Sequence, residues 1–177
     1  VVHTVVVSDT TPPTLTLTPT APAPLEAGID TYTALTNPAD FGAQDNASTA
    51  LSVVAVGSVD TTVAGSYTVT YSIRDVSLNT SVVGENVVHT VVVSDTTPPT
   101  LTLTPADLTG ADTLHIGDSY TALSDAVNDF GASDNASTGL TVAVDLGGLD
   151  NTVAGSYTVT YSISDASGNY VDVVQQV

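Results

Sequence analysis

The side chains best suited to chemistry are aspartates and asparagines that recur at matching positions of a repeated pattern. They occupy three kinds of segment: a Pro-rich linker, an Asp-Asn pair after a Phe-Gly-Ala motif, and an Asp-x-x-x-Asn loop. The candidates are Asp9, Asp45, Asn46, Asp75 and Asn79 in the first copy, and Asp95, Asp134, Asn135, Asp165 and Asn169 in the second. Oxygen-only ligands select a hard cation, and a flexible loop with many ligands favours Ca²⁺ over Mg²⁺.

A second interpretation of these residues stays open, because Asp and Asn also populate turns where they accept hydrogen bonds from backbone amides. The overall charge favours the metal: 19 acidic residues stand against one basic residue, Arg74, for a net charge of -18. At an effective dielectric of about 20, two like charges about 4 Å apart repel by about 4 kcal/mol. We therefore predict bound Ca²⁺ where the acidic loops meet.

The same composition excludes several function classes. Nucleic acids and anionic membranes require clustered Lys and Arg, which this chain lacks. Without cysteine there is no disulfide framework, thiol nucleophile or zinc-thiolate site. The histidines have no Ser-His-Asp partners at repeated positions, and no aromatic sugar platform accompanies the carboxylates. We expect no enzymatic activity, no membrane insertion and a monomer.

Two copies of one module supply the elements that must position these loops. Three segments return in order along the chain: residues 1–19 at 87–105, residues 41–49 at 130–138 with one change, and residues 62–73 at 152–163. Paired prolines follow Asp-Thr-Thr in each copy and favour a stiff connector. We therefore predict a repeat over 10–94 and another over 95–177, with residues 1–9 the last strand of a preceding repeat.

The apolar pattern within each module is that of strands. Residues 66–73 alternate strictly between apolar and polar side chains, which predicts one buried and one wet face. Residues 14–18 show the same period, residues 51–59 show it less cleanly, and residues 87–93 are typical of a more buried strand. No segment sustains helical spacing. Tyr67, at the start of the alternating strand, is placed like the tyrosine corner of immunoglobulin-like domains.

These patterns predict an all-β chain of two tandem Ig-like Greek-key β-sandwiches joined by a short Pro-rich linker. In that topology the start of the first strand and two of the loops lie at one end, so the acidic loops of each module should converge where the preceding module attaches. We expect the first copy's site to lack part of its ligands and the second copy's site to be whole.

Four motifs carry a family resemblance: Asp-Thr-Thr-Pro-Pro, Gly-Ala-x-Asp-Asn, Val-Ala-Gly-Ser-Tyr-Thr-Val-Thr-Tyr-Ser-Ile and Ser-Asp-Ala-Ser-Gly-Asn. Together they resemble the bacterial Ig-like, cadherin-like repeats of large RTX-type surface adhesins. The resemblance implies secretion to the bacterial cell surface, a role in cell adhesion and biofilm, and calcium that stiffens the joints between neighbouring repeats. Asp165, Gly168 and Asn169 match the family's loop, whereas the first copy has Leu78 in place of the glycine.

Two functions follow as expectations. The first is a structural extender, or stalk, whose repeats hold a binding region away from the cell. The alternative is a carbohydrate- or protein-binding Ig-like accessory module of a secreted enzyme or toxin, which would need an exposed aromatic cluster or a concave pocket.

Overall fold

The structure, a computed structural model, describes residues 1–82, 85–103 and 114–177. The chain divides into two compact units, Val1–Ser94 (unit 1) and Asp95–Val177 (unit 2). Strands in two separate sheets form most of the regular structure of the described residues, with only two short helical segments. The predicted all-β class is confirmed, as a β-sandwich-like fold. The finer arrangement, two tandem Ig-like Greek-key domains, stays a prediction.

Unit 1 contains a four-stranded sheet with the spatial order β1-β4-β3-β2. Its strands are β1 Leu25–Glu26, β2 Ser52–Val56, β3 Gly65–Arg74 and β4 Val87–Ser94. The strands β2, β3 and β4 pair antiparallel, and β1 runs parallel to the last two residues of β4. In β3 the apolar side chains Val69, Tyr71 and Ile73 are buried, as the alternation predicts.

Strand β4 is buried on one face. Val87, His89, Val91 and Val93 are buried, whereas the side chains between them face solvent. Four of its eight residues are buried, against three of the ten in β3, so β4 is the more buried of the two strands but is not buried on both faces. A run of valines still yields two different faces, because successive side chains of a strand point to opposite sides of the sheet.

The second layer of unit 1 consists of irregular segments that cover the inner face of the sheet. Phe41 packs on Tyr71 with ring centroids 5.4 Å apart, and Leu15 and Leu35 pack against the same cluster. The hydroxyl oxygens of Tyr32 and Tyr71 lie 2.6 Å apart. Burial, together with this bond, raises the pKa of Tyr32 to about 12. The core thus includes a polar pair that is satisfied internally.

Unit 2 repeats this plan with a three-stranded antiparallel sheet of order β5-β6-β7. Its strands are β5 Thr141–Asp145, β6 Thr158–Ser164 and β7 Tyr170–Gln176. Phe130 packs on Tyr161 with ring centroids 5.3 Å apart, as Phe41 does on Tyr71. Gln175 takes the place of His89 and accepts a hydrogen bond from Tyr161 at 3.1 Å.

Two short helical segments are absent from the sequence-based expectation. They are a 3-10 helix, Pro38–Phe41, and the helix α1, Ala126–Phe130. Each is set by local caps, because Asn37 and Asp125 accept hydrogen bonds from the first amides. Segments of four or five residues are too short to show a 3.6-residue period, which is why the apolar pattern missed them.

Residues 14–18, predicted as a strand, form only an isolated bridge between Thr14 and Gln44. The bridge does not extend into a β-ladder, because the N–H groups of Thr16 and Leu17 both donate to the carbonyl of Phe41, at 3.2 and 3.0 Å. The copy at 100–104 also has a single bridge, and its last residue lies outside the described residues. Alternation alone did not identify a partner strand here.

The tyrosine at the start of the alternating strand makes the bond expected of a tyrosine corner. The hydroxyl of Tyr67 donates to the carbonyl of Val63 at 2.8 Å, and that of Tyr157 donates to Val153 at 3.0 Å. In each case the acceptor lies four residues upstream, which ties the preceding turn to the strand.

Residues 1–8 are exposed and belong to no strand, although the identical sequence at 87–94 forms β4. Their assignment to a preceding repeat stays a prediction. Within the described ranges, no helix has the length and apolar character needed to cross a membrane.

Candidate metal centre

Each unit gathers three aspartates whose carboxylate oxygens lie within 4.8 Å of one another. We call them the first aspartate cluster, Asp9, Asp45 and Asp75, and the second aspartate cluster, Asp95, Asp134 and Asp165. The members occupy matching repeat positions, and each cluster combines the Asp-Thr-Thr-Pro-Pro segment, a turn, and the loop that follows β3 in unit 1 or β6 in unit 2. The sequence therefore identified which loops converge. The missing ligands expected of the first copy stay a prediction, since both clusters have the same three members.

In the first cluster, Asp75 is held by the loop it begins. Its Oδ1 accepts the backbone N–H of Asn79 and its Oδ2 accepts the side-chain amide of Asn79, both at 2.8 Å. Burial by itself raises the pKa of Asp75, but the hydrogen bonds from Asn79 and from the backbone of Ser77 outweigh it and hold the pKa below its ordinary value. Asp75 is therefore presented as a buried carboxylate anion.

The other two members each leave one oxygen without a hydrogen bond. Asp45 Oδ1 accepts the N–H groups of Ala47 and Ser48 at 3.0 and 2.8 Å, and Asp9 Oδ1 accepts the N–H of Thr11 at 3.1 Å. The Oδ2 atoms of Asp9 and Asp45 are buried and have no hydrogen-bond partner. A buried carboxylate oxygen without a partner is unfavourable. A bound cation would satisfy both atoms.

The second cluster has nearly the same bonding. Asp134 Oδ1 accepts two backbone N–H groups at 3.0 and 2.8 Å, and its buried Oδ2 has no hydrogen-bond partner. Burial raises the pKa of Asp165, but hydrogen bonds led by those from Asn169 lower it below its ordinary value. Asp95 differs from Asp9 because Ser167 Oγ donates to its Oδ2 at 3.0 Å. This serine contact was not anticipated from the sequence.

Two of the four predicted asparagine ligands donate hydrogen bonds within the clusters. Asn79 donates its amide nitrogen to Asp75 and, at 3.2 Å, to the backbone carbonyl of Asp9. Asn169 makes the equivalent bonds to Asp165 at 2.8 Å and to the carbonyl of Asp95 at 3.1 Å. Through these bonds Asn79 and Asn169 position the aspartates, and their role as metal ligands stays a prediction. Of the remaining candidates, Asn46 is exposed and Asn135 is half-buried.

The loop of the first copy keeps its shape despite the missing glycine. Leu78 has a φ of 70°, the left-handed conformation that Gly168 adopts with a φ of 90°. Leu78 is the one non-glycine residue with positive φ among the described residues. A bulky residue in this conformation stores roughly 1 to 3 kcal/mol of strain. The hydrogen bonds between Asp75 and Asn79 are retained in spite of that cost.

No basic side chain neutralises either cluster within the described part of the chain. Arg74 Nε donates to Thr80 Oγ1 at 3.4 Å, and His115 Nδ1 lies 3.4 Å from a carboxylate oxygen of Asp118, which belongs to neither cluster. His3 is exposed, whereas His89 is buried with its Nε2 2.9 Å from the carbonyl oxygen of Pro19. The histidines belong to neither cluster. The arrangement therefore suits binding of a cation by oxygen ligands.

No protein-family model matches the chain, and no curated protein matches it.

Proposed function

We propose that the chain is a structural extender module of a secreted bacterial surface adhesin, and that each unit holds Ca²⁺ in its aspartate cluster. The observation that carries the proposal is the duplicated cluster itself. Three carboxylates converge twice, at the same repeat positions, and among the residues that the structure describes some of their buried oxygens have no hydrogen-bond partner and no basic side chain pairs with them.

The ligand chemistry favours calcium. The clusters offer carboxylate oxygens on three separate segments, and Ca²⁺ accepts six to eight oxygens in a flexible geometry. Mg²⁺ demands a near-octahedral shell and dehydrates reluctantly, so it fits a cluster of three separate loops less well. Backbone carbonyls and water would complete the shell.

The position of the second cluster along the chain supports a stalk. Strand β4 ends at Ser94, the last residue of unit 1, and the next residue, Asp95, belongs to the second cluster. An ion bound there fixes the first residue after that strand to two loops of unit 2. In the proposal, calcium restricts the freedom of the connector between neighbouring repeats, and the protein's partners are other repeats of the same chain.

Calcium titration calorimetry tests the binding. We expect two sites in the unaltered chain and one site in each of the variants Asp75→Asn and Asp165→Asn, because each removes one carboxylate from a different cluster. Asp40→Asn is the matched control, since Asp40 is exposed and lies in neither cluster. It should keep both sites. Absence of binding to the unaltered chain would contradict the proposal.

Small-angle scattering tests the stalk. With calcium, the unaltered chain and Asp75→Asn should both give a narrower distribution of sizes than with a chelator, because both keep the cluster that begins at Asp95. Asp165→Asn should lose this response. A response that is equal in the two variants would show that calcium does not act through the connector.

The alternative, a carbohydrate- or protein-binding accessory module, calls for an exposed aromatic cluster or a concave pocket. In the described ranges, Tyr170 is the one aromatic residue among the exposed large hydrophobic side chains, with 60% of its surface accessible, and a single side chain is no stacking platform. Unit 2 does have a mostly apolar pocket beside Leu149 and Tyr157. The extender is preferred for the duplicated aspartate clusters and not because a pocket is absent.

A further inference from the structure

The sheet of unit 1 has one face that is turned away from its core. In β3 the buried residues alternate with residues that point to the other side of the sheet. The pairing register carries this side across the sheet, because Thr70 lies opposite Val56 on β2 and opposite Val88 on β4. The outer face of unit 1 therefore consists of every second residue of β2 from Ser52, of β3 from Ser66 and of β4 from Val88.

None of these described residues is acidic, although the chain has 19 acidic residues. Each of them is Ser, Thr or Val, except Arg74 at one end of the face. The valines are accessible, since Val56 is 64% exposed, Val88 57% and Val92 40%. In a chain of net charge -18, the outer face of unit 1 is thus uncharged apart from the single basic residue.

The corresponding face of unit 2 is acidic. It consists of every second residue of β5, β6 and β7, from Thr141, Thr158 and Tyr170. Two of these residues, Asp145 and Asp172, are exposed carboxylates. The module therefore tolerates acidic residues on this face, and a face without them is particular to unit 1.

The strand registers show which residue of unit 1 stands in the place of Asp145. Thr70 and Thr160 are the same repeat position. Thr70 pairs with Val56 on β2, and Thr160 pairs with Asp145 on β5. At the same position of equivalent strands, unit 1 therefore has an exposed valine where unit 2 has a carboxylate.

We propose that the outer face of unit 1 binds the same face of a second copy of the chain. The charges argue for this occupant. Two chains that each carry a net charge of -18 repel one another, and the outer face lets them meet without opposing carboxylates. The valine and threonine side chains of two such sheets interdigitate at a separation of about 10 Å, as in a β-sandwich.

The charges at the two ends of the face set the orientation of the pair. Arg74 is the last residue of β3, whereas the exposed Asp60 lies in the turn that joins β2 to β3, at the opposite end of the strand. A twofold axis makes a contact between identical faces self-complementary. With the strands of the two copies antiparallel, the Arg74 end of each copy meets the Asp60 end of the other. A parallel arrangement would place the two Arg74 side chains together.

The size of the outer face makes the pair a weak one. With strands about 4.8 Å apart and residues about 3.4 Å apart along a strand, the face covers about 400 Å² in each copy. Two copies then bury about 800 Å², which is less than the roughly 1,200 to 2,000 Å² of a stable complex. The pairing departs from the monomer expected from the composition, and salt that screens the repulsion favours it.

This pairing goes beyond the proposed function and does not depend on it. The outer face extends along the strands of unit 1, whereas the first aspartate cluster lies beyond the end of β3. The contact therefore joins copies side by side and leaves the cluster accessible. It requires no calcium, so it can be tested in a chelator, where failure of the pairing says nothing about metal binding.

Sedimentation velocity over about a hundredfold range of protein concentration tests the inference, in a chelator and about 1 M sodium chloride, where the Debye length is about 3 Å. The unaltered chain should sediment faster as its concentration rises. Val88→Asp should raise the dissociation constant at least about tenfold, because each pair then buries two carboxylates. Val174→Asp is the matched control, since Val174 is 48% exposed and pairs with Thr160 as Val88 pairs with Thr70. It should associate like the unaltered chain.

A second variant separates loss of association from loss of the fold. Val56→Asp gives unit 1 the residue that unit 2 carries at the same position of a folded sheet, Asp145. Its circular dichroism spectrum should match that of the unaltered chain, and its dissociation constant should rise at least about tenfold. Sedimentation of the unaltered chain that does not change with concentration overturns the inference. Undiminished association of Val88→Asp and Val56→Asp does so too, as does equal weakening by Val174→Asp.

Discussion

Adding calcium should stabilise both units by an amount that can be calculated in advance. An ion that binds only the folded state stabilises it by RT ln(1 + [L]/Kd). For a Kd of about 0.1 to 1 mM, the range of extracellular calcium modules, about 10 mM free Ca²⁺ gives about 1.4 to 2.7 kcal/mol per site. Each unit falls within the size range in which about 1 kcal/mol moves Tm by about 4 to 8 °C. We therefore expect Tm to rise by about 6 to 22 °C.

Differential scanning calorimetry measures this change in Tm, and variants of the two aspartate clusters show which cluster causes it. Asp75→Asn removes one of three carboxylates from the first cluster while an amide oxygen can still accept the bond from Asn79. We expect unit 1 to lose most of its calcium response and unit 2 to keep its own, so that one transition becomes two. Asp165→Asn should give the mirror result.

Three controls distinguish specific calcium binding at the aspartate clusters from general screening of the chain's negative charge by cations. Sodium chloride at the same ionic strength, and Mg²⁺ at the same concentration, should each raise Tm by much less than Ca²⁺ does. Asp40→Asn makes the same charge change outside the clusters and should leave the response intact. An equal response to sodium, or an undiminished response in both cluster variants, would refute the reasoning.

Three further predictions concern single residues. In chelator, Leu78→Gly should raise the free energy of unfolding of unit 1 by up to about 1 kcal/mol, which is measured as a higher midpoint of urea denaturation. The substitution relieves a left-handed backbone conformation at a side chain that is 73% exposed. An unchanged or lower midpoint would count against strain at this residue. Tyr71→Phe should cost about 1 to 3 kcal/mol in urea denaturation, since the buried hydroxyl accepts the N–H of Leu35 at 3.3 Å; a neutral result would contradict this. The hydrogen bonds from the side chain and backbone of Thr152 lower the pKa of Asp150 in the folded chain. The contribution of Asp150 to stability is therefore complete at pH values above its ordinary pKa of 3.8, and it is lost as the pH falls through the lower pKa of the folded state. Asp150→Asn should therefore lose less stability than the unaltered chain between about pH 6 and about pH 3, and equal losses would show that this bond is not involved.

The successes and failures of sequence-based prediction have a common physical cause. Strand β3 was predicted because strict alternation over many residues has one structural meaning. Residues 14–18 alternate equally well, but the amides of Thr16 and Leu17 donate to Phe41 rather than to a neighbouring strand. The helix α1 depends on an aspartate cap and a left-handed glycine over five residues, a local effect that leaves no period.

The sequence by itself determined three properties of the protein. Its composition determined the acidic character, the alternation of apolar and polar residues determined the all-β class, and the matching repeat positions identified the three kinds of loop that hold the aspartates. Only the tertiary structure decided what each polar group does. Whether Asn79 offers its oxygen or its nitrogen, and whether Asp45 has a second partner, depends on atoms brought together from distant parts of the chain. The sequence shows which residues recur, but only the folded structure shows which side chains and backbone groups surround each of them.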